Sequence, residues 1–87
     1  MTTREILEAA KARIDKPQKW TRGVGASEDK KRVCAYIAVE DVWADKSTRL
    51  AAIRLLRGSA GRLIAFNDEH KHAEVMALFD RAIEAAS

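Results

Sequence analysis

The chain has 87 residues, 47% of them hydrophobic and 33% charged, with a formal net charge of +3. That is enough for one hydrophobic core and one domain over 1–87, while no apolar run approaches the roughly 20 residues needed to cross a bilayer. Acidic residues stand near the N-terminus where a signal peptide has its apolar centre, and the single cysteine, Cys34, cannot form an internal disulfide, so the expected compartment is the cytoplasm.

Thr2 followed by Glu5 has capping-box spacing, and Ile6, Leu7, Ala10 and Ile14 follow at helical period, predicting a helix over about 3–15 that Pro17 ends. The segment 16–32 carries Pro17, Gly23, Gly25 and Ser27 among many charges. It reads as a long loop, of the kind that is functional or mobile in a small domain, with Trp20 pinning it to the core. Val33 to Ala44 is the most hydrophobic stretch, with only Glu40 and Asp41 charged. Its alanines favour a helix over about 32–45. Being apolar nearly all round, this helix is expected to be the buried centre of the fold, with Cys34 and Trp43 as structural residues. Ser47 can cap a third helix over about 48–57, with Leu50, Ala51, Ile53, Leu55 and Leu56 on its apolar side and Gly58 as its stop. Residues 58–66 read as a turn followed by an apolar patch, either a short extended piece or one helical turn. Asn67-Asp68 reads as a turn that places negative charge at the start of the last helix. That helix, about 72–86, has the clearest amphipathic pattern: Val75, Phe79, Ala82, Ile83 and Ala86, widened by Met76 and Leu78. The expected fold is therefore all-α, four helices with the 16–32 loop laid over one side. The alternative is α+β, with short strands near 33–39 and 62–66.

Charge is unevenly spread. Residues 1–32 hold nine Lys/Arg against five Asp/Glu, and residues 67–87 hold two against five. Such asymmetry suits a polyanion or an acidic protein face, or neutralisation within the fold or across a head-to-tail homo-oligomer. Lys16, Lys19, Trp20, Arg22, Lys30, Lys31 and Arg32 gather in the long loop, and arginine and aromatic residues are the types that dominate interface energy.

Several of these residues together, Trp20 with Gly23, the Cys34-Ala35 pair, Phe66-Asn67-Asp68, and Val75 with Phe79-Asp80-Arg81-Ala82-Ile83, resemble a family of unknown function found in small proteins of bacteria and their phages. Tyr36-Ile37 depart from that frame, which tends to have a residue and then a glycine there, and His72 stands where a helix-capping threonine is usual. The resemblance implies an all-helical accessory protein of phage or mobile-element origin, and names no substrate.

Candidate chemistry is sparse. Cys34 with His70, His72 and Asp68 could be drawn as a nucleophilic arrangement, but free cysteines inside apolar runs are usually inert packing. His70-Lys71-His72 offers zinc-type ligands without a recognised spacing, and Asp68 has no partner carboxylate for acid/base work. The helices around 32–45 and 48–57 could pass for a helix-turn-helix with Arg49, Arg54 and Arg57 on phosphates, though the net charge is low for a DNA-binding domain. The reading by elimination is a non-enzymatic accessory or inhibitory binding protein without metal or cofactor. It would occupy a protein partner, in the anti-defence sense that a phage origin implies, or sequester an anionic small molecule. The alternative is a weak nucleic-acid binder using the basic loop and the third helix.

Overall fold

The computed structural model describes residues 1–58 and 61–86, and contains five α-helices and two isolated β-bridges among them. The helices are α1 (Thr3–Arg13), α2 (Ala35–Glu40), α3 (Lys46–Arg57), α4 (Leu63–Glu69) and α5 (His72–Ala85), with a 3₁₀ turn at Pro17–Lys19. The chain is all-α, as expected, with one more helix than the sequence pattern indicates. No described helix is long and apolar enough to cross a membrane.

The centre of the fold is α1, which packs on α2, α3 and α5. Its start is the expected capping box: Thr2 Oγ1 accepts from Glu5 N at 3.1 Å, and Glu5 Oε1 accepts from Thr2 N at 2.8 Å. The Thr2 N–H, and after it the Thr2 side chain, hold the Glu5 carboxyl below its ordinary value. Ile6, Leu7, Ala10 and Ile14 are fully buried. Lys11 is paired to Asp80 of α5 at 2.5 Å, and Arg13 to Asp41 just beyond α2 at 2.5 Å.

The long central helix over 32–45 is not formed, and Val33 to Ala44 is only in part the buried centre. Val33 is extended and bridged to Trp20 and Ala26. Cys34 caps α2, its sulfur accepting from Ile37 N at 3.5 Å, and the helix ends at Glu40 after six residues. Continued helix would have placed Trp43 four residues after the fully buried Val39, on the same face. With α2 ended, Trp43 is 96% exposed, so it is no core residue. The break is stabilised from α3. Asp45, not Ser47, is the N-cap: its carboxylate accepts from Thr48 N at 3.0 Å and from the hydroxyls of Ser47 and Thr48. Arg49 Nη1 donates to Ala44 O at 2.9 Å and Val42 O at 3.4 Å, satisfying carbonyls that the ended helix leaves open.

On α3 the buried residues are Ala52, Ile53 and Leu56, with Leu50 and Leu55 at the edge of exposure. Gly58 at φ +44° ends it. Residues 63–69 form two helical turns rather than a strand or a single turn. Asn67 and Asp68 therefore lie inside α4, and not in a turn before the last helix. Val75, Leu78, Phe79 and Ala82 of α5 close the core. That helix follows the sequence pattern, with Ile83 and Ala86 half-buried at its margin.

Candidate functional site

The only buried polar side chain among the described residues is Asn67, at 0% exposure. An amide can accept twice and donate twice, and Asn67 uses all four positions. Its Oδ1 accepts from Trp20 Nε1 at 2.6 Å and from Ala35 N at 3.0 Å. Its Nδ2 donates to Thr21 O at 3.1 Å and to Asp68 Oδ1 at 3.3 Å. Asp68 Oδ1 in turn accepts from Gly23 N at 2.8 Å, where the backbone is at φ +83°, a conformation open to glycine and strained for other residues. One side chain of α4 and its neighbour thus hold the loop at Trp20, Thr21 and Gly23.

Trp20 is gripped on further sides. His72 lies against its ring at 5.6 Å between centroids and bonds Ile14 O through Nε2 at 2.7 Å. The carbonyl can only accept, so Nε2 carries the proton. Arg22 sits 5.9 Å over the indole and donates to His70 O at 3.1 Å. His70 bonds Phe66 O through Nδ1 at 2.9 Å and stacks on Phe66 at 3.7 Å. Both histidines are therefore engaged in structural contacts. No group of three or more His, Cys, Asp or Glu side chains among the described residues is placed to hold a metal ion. Cys34 is buried under the loop, its N–H bonded to Gly25 O at 2.9 Å.

The far part of the loop is a built turn. Ser27 N donates to Arg32 O at 2.9 Å, and Arg32 N donates to Ser27 Oγ at 3.1 Å. Asp29 Oδ1 accepts from Ser27 Oγ at 2.6 Å and from Lys31 N at 3.1 Å, which holds the Asp29 carboxyl below its ordinary value, the Ser27 hydroxyl contributing most. Lys30 takes φ +59° at its crest. Lys30, Lys31 and Arg32 are exposed on this turn. Lys19 joins them: Val33 N bonds Lys19 O at 3.1 Å and Thr21 N bonds Val33 O at 3.2 Å, which sets Lys19 beside Arg32 along two parallel segments. Its ammonium lies 3.4 Å from Asp15. The expected binding residues therefore separate into two groups. Lys19, Lys30, Lys31 and Arg32 present charge to solvent, whereas Trp20 and Arg22 are committed to holding the loop.

The sequence pattern gave no indication of a groove of about 920 Å³ between α2, α3 and α4. Ile53, Leu63, Ile64 and Ala65 supply its apolar surface, with Tyr36, Arg57, Arg62, Asp68 and Glu69 around them. A hydrogen bond to Glu40 pushes the Tyr36 phenol above its ordinary value. A smaller hollow of about 240 Å³ lies beside it under Gly23, Val24 and Gly25, sharing Tyr36, Ile64 and Asp68. These residues come from separate elements with no common spacing; the one available signal was the pair of arginines at the end of one helix and just before the next.

A family model described as a family of unknown function, DUF6197, matches residues 1–85. No curated protein matches the chain, and no solved structure matches it.

Proposed function

The chain belongs to the DUF6197 family of unknown function, and from that premise we propose that it is a binding module, acting by occupying a protein partner through the basic crest of its 16–32 loop. The observation that carries this reading is the expenditure of all four hydrogen-bonding positions of the buried Asn67 on that loop and the residues that anchor it. A connection of seventeen residues, 16–32, held this firmly costs little further entropy on binding. Lys30, Lys31 and Arg32 then meet a partner on a fixed backbone, with Lys19 alongside, which suits an acidic protein face. In its finer form the proposal is inhibitory: the partner belongs to a host system, and occupation blocks it.

The test is affinity capture from host lysate with mass spectrometry. Binding of the captured partner and of a random DNA duplex is then measured at low and physiological salt. Lys30→Glu with Lys31→Glu is the informative variant, because Arg22 also holds Trp20 and its replacement would disturb the loop itself. Partner binding should survive physiological salt and fall at least tenfold in the double variant, with negligible DNA binding there. DNA affinity that persists at physiological salt and is indifferent to sequence would instead make the protein a nucleic-acid binder.

A further inference from the structure

Among the described residues four have a positive φ. Three of them, Gly23, Gly58 and Gly61, are glycines, and the fourth is Lys30 at φ +59°. In that region Cβ crowds the following carbonyl, so glycine takes such positions by default. Lys30 N donates to Ser27 O at 2.9 Å, and Ser27 N donates to Arg32 O at 2.9 Å. These bonds make residues 27–32 a tight reversal between the bridged Ala26 and Val33. In such reversals the left-handed position normally goes to glycine.

The Lys30 side chain contributes nothing to the fold. It is exposed, and no ion pair among the described residues includes it. Ser27 and Asp29, by contrast, tie the turn with their side chains. After the Ser27 hydroxyl and the Lys31 N–H, the charges of Lys31 and Arg32 also lower the Asp29 carboxyl, so part of their charge is matched within the turn. Lys30 has no such part. It strains the backbone and ties nothing, and strain of this kind gathers at functional positions.

We propose that Lys30 occupies this position for its ammonium, as the central cation of the basic turn, and that its counterpart is a cluster of carboxylates on the partner protein. The inference rests on the reading of this turn as the binding surface, and assigns the contact within it. Lys30, Lys31 and Arg32 are three adjacent cations on one tight turn. They cover a compact patch, which suits clustered carboxylates better than a phosphate backbone, whose charges run on in a line. Lys19, whose ammonium lies beside Asp15, stands at the edge of the patch.

The probe is a hexaglutamate peptide, titrated at low salt and followed in ¹H–¹⁵N spectra, with thermal melts of the same proteins. Lys30→Gly removes both the strain and the ammonium, whereas Lys30→Gln removes the ammonium and keeps the strain. Lys30→Gly should melt about 2–5 °C above wild type. Lys30→Gln should melt within about 1 °C of it. Both should bind the peptide about fivefold more weakly, against about twofold for Lys31→Gln. A Lys30→Gly variant no more stable than wild type would show that the backbone there is unstrained. Binding that survives in Lys30→Gln, or falls further in Lys31→Gln, would show that Lys30 is not the central cation. A wild type that ignores the peptide would remove the carboxylate counterpart. Each of these results overturns the inference, and none decides the lysate capture on which the broader reading stands.

Discussion

The two tryptophans stand in irregular connections of the same small chain and meet opposite fates. Trp20 is half-buried, its indole N–H satisfied by a fully buried amide and its ring held by His72 and Arg22. Trp43 touches almost nothing, although the turn beneath it is held by hydrogen bonds from Arg49 to the carbonyls of Val42 and Ala44. The difference lies in what α4 and α3 send toward each connection. Asn67 of α4 offers hydrogen bonds to both the backbone and the indole, and so draws the side chain in. Arg49 of α3 offers hydrogen bonds to carbonyls alone, and so fixes the backbone while leaving the side chain outside. A rigid connection does not by itself bury its largest residue.

The largest expected effect comes from removing the pin. Asn67→Ala strands the Trp20 N–H, the Ala35 N–H and the Thr21 carbonyl, each at about 1–3 kcal/mol. The loss should be roughly 3–5 kcal/mol in denaturant unfolding, with hydrogen-exchange protection lost first at Ala35. A variant within about 1 kcal/mol of wild type would show that the loop is held by its other contacts and not by Asn67.

The clamp under Trp43 should matter less. Arg49→Met keeps the stem and removes two hydrogen bonds to carbonyls, for a loss of about 1–2 kcal/mol in a thermal melt. Part of that loss is offset because the Arg49 Nε, which has no partner among the described residues, no longer has to be buried. Val42→Asp belongs at the same level. Val42 is half-buried beside the turn, so its charge can reach water, and the cost should be about 1–2 kcal/mol rather than that of a fully buried site. A greater loss than in Val39→Asp, at a fully buried position, would show that the turn and not α2 is the packed element.

Asp45 adds a pH signature to the same turn. The Ser47 hydroxyl, with the Thr48 hydroxyl and N–H, lowers its carboxyl from 3.8 to about 2. A group whose value is depressed by folding contributes stability that is fully present above its unfolded value and disappears as pH falls through its folded one. Asp45→Ala should therefore flatten the fall in melting temperature between pH 4 and pH 2, leaving the share due to Glu5 and Asp29. An unchanged slope would mean that the cap is not formed in solution.

The smallest effect is expected at Trp43 itself. In dilute solution Trp43→Ala should move stability by no more than about 0.5 kcal/mol, the opposite of what an aromatic core residue would give. A loss of several kcal/mol would place the indole inside the fold and abolish the contrast with Trp20.

The sequence by itself determined the elements whose signals are local. Thr2 and Glu5 mark the start of α1, Gly58 marks the end of α3, and the apolar period of Val75, Phe79 and Ala82 marks α5, because caps and amphipathic faces act within a few residues. It also singled out Trp20 as the anchor of the long loop. Only the tertiary structure decided the rest. Asn67-Asp68 has the composition of a turn, and became helix because α4 sets the Asn67 amide against Trp20 and Thr21, more than forty positions earlier. Val33 to Ala44 has the composition of a buried helix, and was broken because Asp45 and Arg49 begin and brace another. Hydrophobicity along the chain gives the amount of surface to be hidden. Which residues hide it depends on where distant backbone groups find their hydrogen bonds, and that is settled only when the helices pack.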